Sequence, residues 1–138
     1  MNEEIELKLS IAASDADKII AMGLFPGRRK SVRQTSTYFD TANHILAKSG
    51  ISLRIRTVRK RKVQTVKWHS GGLFRRGEWE CAVSDDVPIL DATSPLGDFF
   101  GDRPEPLAPL FQIENLRTLW MHTDQDAVLE IVLDRGEI

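Results

Sequence analysis

Glu4 and Glu6 stand two residues apart with Lys8 two further on, in the run Glu4-Ile5-Glu6-Leu7-Lys8. Side chains alternate across a strand, so in extended backbone these three charges share one face, and Ile5, Leu7 and Leu9 take the other. Two carboxylates at that spacing are hard oxygen donors that can share one hydrated Mg²⁺ ion and do not select a soft metal. A surface strand alternates apolar and polar residues in the same way, so this run alone leaves both readings open.

The alternation recurs along the chain. In Leu53-Arg54-Ile55-Arg56 both arginines face one way, and in Val63-Gln64-Thr65-Val66-Lys67 the lysine is in phase with Thr65 and Val63. Arg76, Glu78 and Glu80 oppose Trp79 and Cys81, while Glu130 and Asp134 oppose the aliphatics of their strand. Five strands thus carry a charged face. Helices should cover the apolar face, which leaves the charged faces to line a closed barrel.

The elements follow from periodicity and breakers. A first strand is expected over residues 3 to 11, followed by a helix that starts at Ser14 with Asp17 three positions on and is broken by Phe25-Pro26-Gly27. A second strand ends near Tyr38-Phe39-Asp40-Thr41, a block that closes the strand and caps the next helix, which carries Ile45 and Leu46 and stops at Gly50. Hairpin strands are expected at 51–59, 62–69 and 74–84, with turns at Lys60-Arg61 and Gly71-Gly72. From Asp85 to Pro109 five prolines forbid a long regular element and leave room for a short helix over 94–100. Strands resume at 111–123 and 126–134 around Asp124-Gln125.

Composition excludes several function classes. The 138 residues, 41% hydrophobic, make one domain with enough apolar material for a core. A net charge of −1 gives no overall basic field for nucleic acid. Single Cys81 rules out an intrachain disulfide and a multi-cysteine zinc site, and is expected in the core beside Trp79. His44, His69 and His122 have no metal-like spacing, and Trp68, Trp79 and Trp120 face away from the charges, toward packing. With no apolar run approaching about 18 residues and an acidic start, a soluble, cytoplasmic protein without a membrane partner is expected. The basic runs Arg28-Arg29-Lys30 and Arg59-Lys60-Arg61-Lys62 read as solvated loop charges or as a steering surface for an anion.

Glu4-Ile5-Glu6-Leu7-Lys8 is similar to the ExExK signature of the CYTH superfamily, the triphosphate tunnel metalloenzymes. Further blocks stand in that family's order: Tyr38-Phe39-Asp40-Thr41, Leu53-Arg54-Ile55-Arg56, Thr65-Val66-Lys67, Arg76-Gly77-Glu78-Trp79-Glu80, Leu116-Arg117-Thr118-Leu119-Trp120 and Glu130 through Glu137. The chain looks most like bacterial inorganic triphosphatases, in which a helical CHAD domain often follows.

The resemblance implies an α+β fold, an antiparallel β-barrel tunnel of eight strands, seven of them here, with flanking helices. It treats residues 1–138 as one CYTH domain that ends before the family's last strand and C-terminal helix, so that the tunnel is open or is completed by a second copy as a homodimer. It implies metal-dependent hydrolysis of inorganic triphosphate to pyrophosphate and phosphate, with Mg²⁺ or Mn²⁺ as cofactor. Metal positions are Glu4, Glu6, Glu130 and Asp134; polyanion-binding positions are Lys8, Arg54, Arg56, Lys67, Arg76 and Arg117; Glu130, Asp134 and Lys8 are catalytic. Glu78 and Glu80 either hold the arginines or join the metal shell. Thiamine triphosphatase, adenylate cyclase and a non-catalytic polyphosphate or nucleotide-binding module are the alternatives.

Overall fold

A computed structural model describes residues 2–25, 27–69, 75–90 and 93–138, with backbone alone for 2–4, 75 and 76. The expected Gly71-Gly72 turn lies outside these residues. Among them the strands are β1 (Asn2–Ile5), β2 (Lys30–Asp40), β3 (Ile51–Val58), β4 (Arg61–His69), β5 (Arg75–Val83), β6 (Ala108–Asp124) and β7 (Ala127–Glu137). The helices are α1 (Ala13–Met22), α2 (Ile45–Lys48) and α3 (Pro95–Phe100). All strand pairs are antiparallel, in the spatial order β1-β5-β4-β3-β2-β6-β7.

Strand register explains where the core sits. Trp79 pairs with Val66, Val66 with Leu53, and Leu53 with Phe39, so one apolar ribbon crosses four strands. Leu46 from α2 and Leu96 from α3 close over it, both essentially without exposure. Burying each such side chain contributes on the order of 2 kcal/mol. The helices are placed by side-chain oxygens. Asp40 accepts from the backbone N–H of Thr41 at 2.7 Å and of Leu46 and Ala47 at 3.0 Å, and Thr41 Oγ1 accepts from Ile45. Ser94 accepts from Leu96 N–H at 3.2 Å ahead of Pro95, a cap before a helix-starting proline. Gln64, buried inside the sheet, both donates to Ile89 O and accepts from Ile89 N, fastening the proline-rich segment to β4.

The bounds of several expected elements change. The first strand ends at Ile5 rather than reaching residue 11, so Glu6 and Lys8 follow the strand. Ile5, Leu7 and Leu9 are 71, 64 and 80% exposed and form no core face. β1 has a single neighbour, β5, and an edge strand with one ladder holds few residues in place. Helix α1 starts at Ala13 with no side-chain cap and ends at Gly23, whose left-handed φ of 59° is the usual helix stop, two residues before the expected Phe25-Pro26-Gly27 break. Among the described residues β1 and β7 do not pair, so the seven strands form the open version of the expected antiparallel tunnel. The β3–β4 and β6–β7 turns fall one residue from the expected positions, at Arg59 and Gln125 with φ of 57° and 52°. Among the described residues, no helix is long and apolar enough to cross a membrane.

Candidate polyanion site

The face opposite the apolar ribbon carries the charges. Arg54 pairs in register with Tyr38 and Thr65, Arg56 with Ser36 and Val63, Lys67 with Glu78, and Arg117 with Val32 and Asp134. Residues directly opposite on paired strands share a face, so these side chains project together.

The sheet curls. Arg117 is held charged beyond its ordinary range, first by its hydrogen bonds to Asp134 acting against burial, and then by the charges of Asp134, Glu130 and Glu6. Glu6 follows β1, five ladders from β6, and a flat sheet would put about 24 Å between them. An interaction of that kind fits a curled sheet whose charged face is concave.

Three guanidiniums gather in the concavity. Burial pushes the Arg56 guanidinium down to about 10, helped by the neighbouring Arg54 and Arg117 charges and opposed by Tyr38 and Asp134. Arg56 Nε donates to Ser36 Oγ at 2.8 Å, which fixes the direction of the group. Among the described residues Arg54 Nε is buried with no hydrogen-bond partner. Guanidiniums bind phosphate and carboxylate through paired N–H groups, and this site holds more of them than its carboxylates satisfy.

Arg117 and Asp134 are joined by two bonds, Nε to Oδ1 at 2.8 Å and Nη2 to Oδ2 at 2.9 Å, and Asn115 Nδ2 donates to the same Oδ1 at 2.9 Å. Burial alone would raise the Asp134 carboxyl; the hydrogen bonds from Arg117 and Asn115 and the charges of Arg117 and Arg56 outweigh it and hold it low. At the other end Lys67 Nζ stands 3.8 Å from Glu6 and 3.9 Å from Glu78, and Lys8 3.6 Å from Glu6. Glu78 therefore serves as an ion-pair partner to Lys67, and Lys8 is largely exposed.

Of the expected site residues, the structure brings together Arg54, Arg56, Arg117 and Asp134, and separately Glu6, Lys8 and Lys67. Glu130 is exposed on β7, in phase with Asp134 and close enough to act on Arg117. Glu80 is exposed on β5. The side chains of Glu4 and Arg76 lie outside the described residues, although their backbones pair in the β1–β5 ladder. Ser36 and Asn115 stand outside the expected set: Ser36 lies opposite Arg56 across the β2–β3 ladder, which only the register reveals, and Asn115 is in phase with Arg117 two residues along β6.

Among the described residues no group of three His, Cys, Asp or Glu side chains could hold a metal ion. Mg²⁺ keeps several waters and needs only one or two carboxylates beside substrate phosphates. Glu6 Oε2, buried and without a hydrogen-bond partner among the described residues though 3.8 Å from Lys67 Nζ, suits that demand, whereas both oxygens of Asp134 are engaged by Arg117 and Asn115.

A family model for the CYTH domain matches residues 2–138. The chain is 28% identical over 152 aligned positions to an inorganic triphosphatase of Haemophilus influenzae, all of this chain aligning with 41% of that protein's length. Among solved structures, a Hippeastrum protein described as a candidate adenylyl cyclase with a dominant triphosphatase activity aligns over 99% of this chain and 73% of its own, at 21% identity and a TM-score of 0.65. A candidate adenylate cyclase from Bacillus halodurans aligns over 100% of this chain and 76% of its own, at 17% identity and a TM-score of 0.61. The two structural likenesses establish a common fold.

Proposed function

We propose, for a chain that belongs to the CYTH domain family, that its concave face binds inorganic triphosphate and hydrolyses it to pyrophosphate and phosphate with a divalent cation. The observation that carries this reading is the guanidinium cluster: Arg56 is pushed down to about 10 by burial and by Arg54 and Arg117, a repulsion that a bound polyanion relieves.

In this reading Arg54, Arg56 and Arg117 bracket the phosphate oxygens, and Lys67 and Lys8 bind the end nearest Glu6. Fixed cations around a phosphoryl group stabilise the charge that spreads over its oxygens during transfer, and they do so without reorganising. Glu6, with Glu4 on β1, would hold Mg²⁺ or Mn²⁺, which when bound neutralises phosphate charge and screens the carboxylates from the substrate. Asp134, and Glu130 in phase with it, are the carboxylates suited to orient water for in-line attack. Asp134 reaches that role when phosphate oxygens replace it on Arg117, leaving Asn115 to hold its Oδ1.

A second reading has its own support. Asp134 already satisfies Arg117, so a chain that never releases this pair would bind polyanions without turning them over. The test is phosphate release from triphosphate, thiamine triphosphate and ATP, with Mg²⁺ and with a chelator, beside thermal melting in triphosphate. Metal-dependent phosphate release supports the hydrolase; melting stabilisation without release supports the binding module; neither effect sinks both.

A further inference from the structure

Two basic runs far apart in sequence end up at one rim of the sheet. Val58 pairs with Arg61, and Thr35 with Thr57, so the β3–β4 turn lies at the end where β2 begins with Lys30. Residues 28–30 and 59–61 are all exposed there, while Lys62 is tied to Asp86 at 2.6 Å. The same end carries Asp85 and Asp86 after β5, and Asp124 and Asp126 at the β6–β7 turn. Seven basic residues against four aspartates leave a local excess of three positive charges in a chain whose net charge is −1.

The rim is continuous with the site. Lys30 lies in phase with Ser36, which holds Arg56, and pairs with Leu119 next in phase to Arg117. Arg61 lies in phase with Lys67 along β4. The far end of the face carries Glu6 and Glu78 instead. The face is therefore polar along its length, cationic at one mouth and mixed at the other.

We propose that this rim, centred on Lys30, Lys60 and Arg61, is the entrance that captures anionic substrate and passes it inward to Arg117, Arg56 and Arg54. The inference rests on the polyanion reading of the site but not on hydrolysis. A charged rim beside a low-dielectric concavity raises the local concentration of an oppositely charged ligand, and salt cancels the effect. None of the three side chains belongs to the phosphate-binding set, so the rim acts before chemistry.

The experiment compares the wild-type chain with a Lys30→Glu/Lys60→Glu/Arg61→Glu variant and a milder variant carrying glutamine at all three positions. The readout is kcat and KM for triphosphate across salt. At about 0.02 M salt, kcat/KM is expected to fall about tenfold in the glutamate variant and less in the glutamine variant, with kcat within about twofold of wild type. At about 0.5 M salt the three proteins should converge. Unchanged kcat/KM at low salt, or a loss that persists at high salt, overturns the proposal. Where the wild-type chain shows no turnover, the hydrolase reading fails alone, and calorimetric titration with triphosphate decides the rim: salt-sensitive loss of affinity in the variants upholds it, and equal affinity overturns it.

Discussion

Arg117 on β6 and Asp134 on β7 stand directly opposite in register and are joined by two parallel bonds of 2.8 and 2.9 Å. This pair fastens the edge strand β7 to the sheet and also occupies the cation best placed between Arg56 and the acidic residues of β7. With the polyanion site as proposed, stability and ligand binding compete for one guanidinium.

The pair makes stability depend on pH in a defined direction. Asp134 is held below its ordinary 3.8 in the folded chain, so its contribution is present above about pH 4 and is lost as pH falls through the folded value. At neutral pH Asp134→Asn should cost about 1 kcal/mol, the upper end for a pair this exposed. Urea midpoints measured at neutral pH and again toward pH 2 check it: the gap between the two proteins should close in acid, and a constant gap contradicts the account.

Arg56 should behave in the opposite sense. Burial first, and then the Arg54 and Arg117 charges, lower its guanidinium to about 10, so the charged form is disfavoured by the fold, a destabilisation complete below about pH 10 and relieved only above it. Arg56→Met is expected to melt no lower than wild type in anion-free buffer and to lose the stabilisation by triphosphate. A variant that melts far lower yet keeps its triphosphate shift rules this out.

Asp40 is a scaffold residue. It is 2% exposed and accepts three backbone N–H groups at the α2 start. Asp40→Ala should destabilise by about 2 to 3 kcal/mol through those orphaned donors, with KM for triphosphate unchanged in the folded fraction. Chemical denaturation together with steady-state kinetics separates the two effects.

The residues that were legible in the sequence are those whose reason is local. Asp40 and Thr41 cap within seven residues of themselves, and Arg54 and Arg56 share a face because strands alternate. The length of β1 was not legible, because Glu6 and Lys8 keep strand alternation while the edge supplies only one ladder. Nor was the Arg117–Asp134 pair, whose partners are set by the β6–β7 register, or the curl that lets Glu6 act on Arg117. Gln64 looked like a strand residue of no special note, and its bonds to Ile89 depend on where the proline-rich segment folds back.

Gly77 permits a close approach that sequence alone did not single out. A Cβ there would lie 2.1 Å from Trp68 Cε2, inside the indole ring. Gly77→Ala must displace Trp68 from the core edge, at a cost of about 1 to 3 kcal/mol, and should redden its fluorescence. Because Glu78 is the next residue, the Lys67 contact should loosen too, raising KM. An alanine variant with wild-type melting and emission contradicts this packing.

Turnover of triphosphate on the concave cationic face is decided by product stoichiometry. With Mg²⁺ present, the wild-type chain should release one phosphate and one pyrophosphate per inorganic triphosphate, and Arg56→Ala and Glu6→Gln should each be slower by about a hundredfold or more. Variants that release both products at the wild-type rate, or a wild-type chain that releases neither, would contradict it.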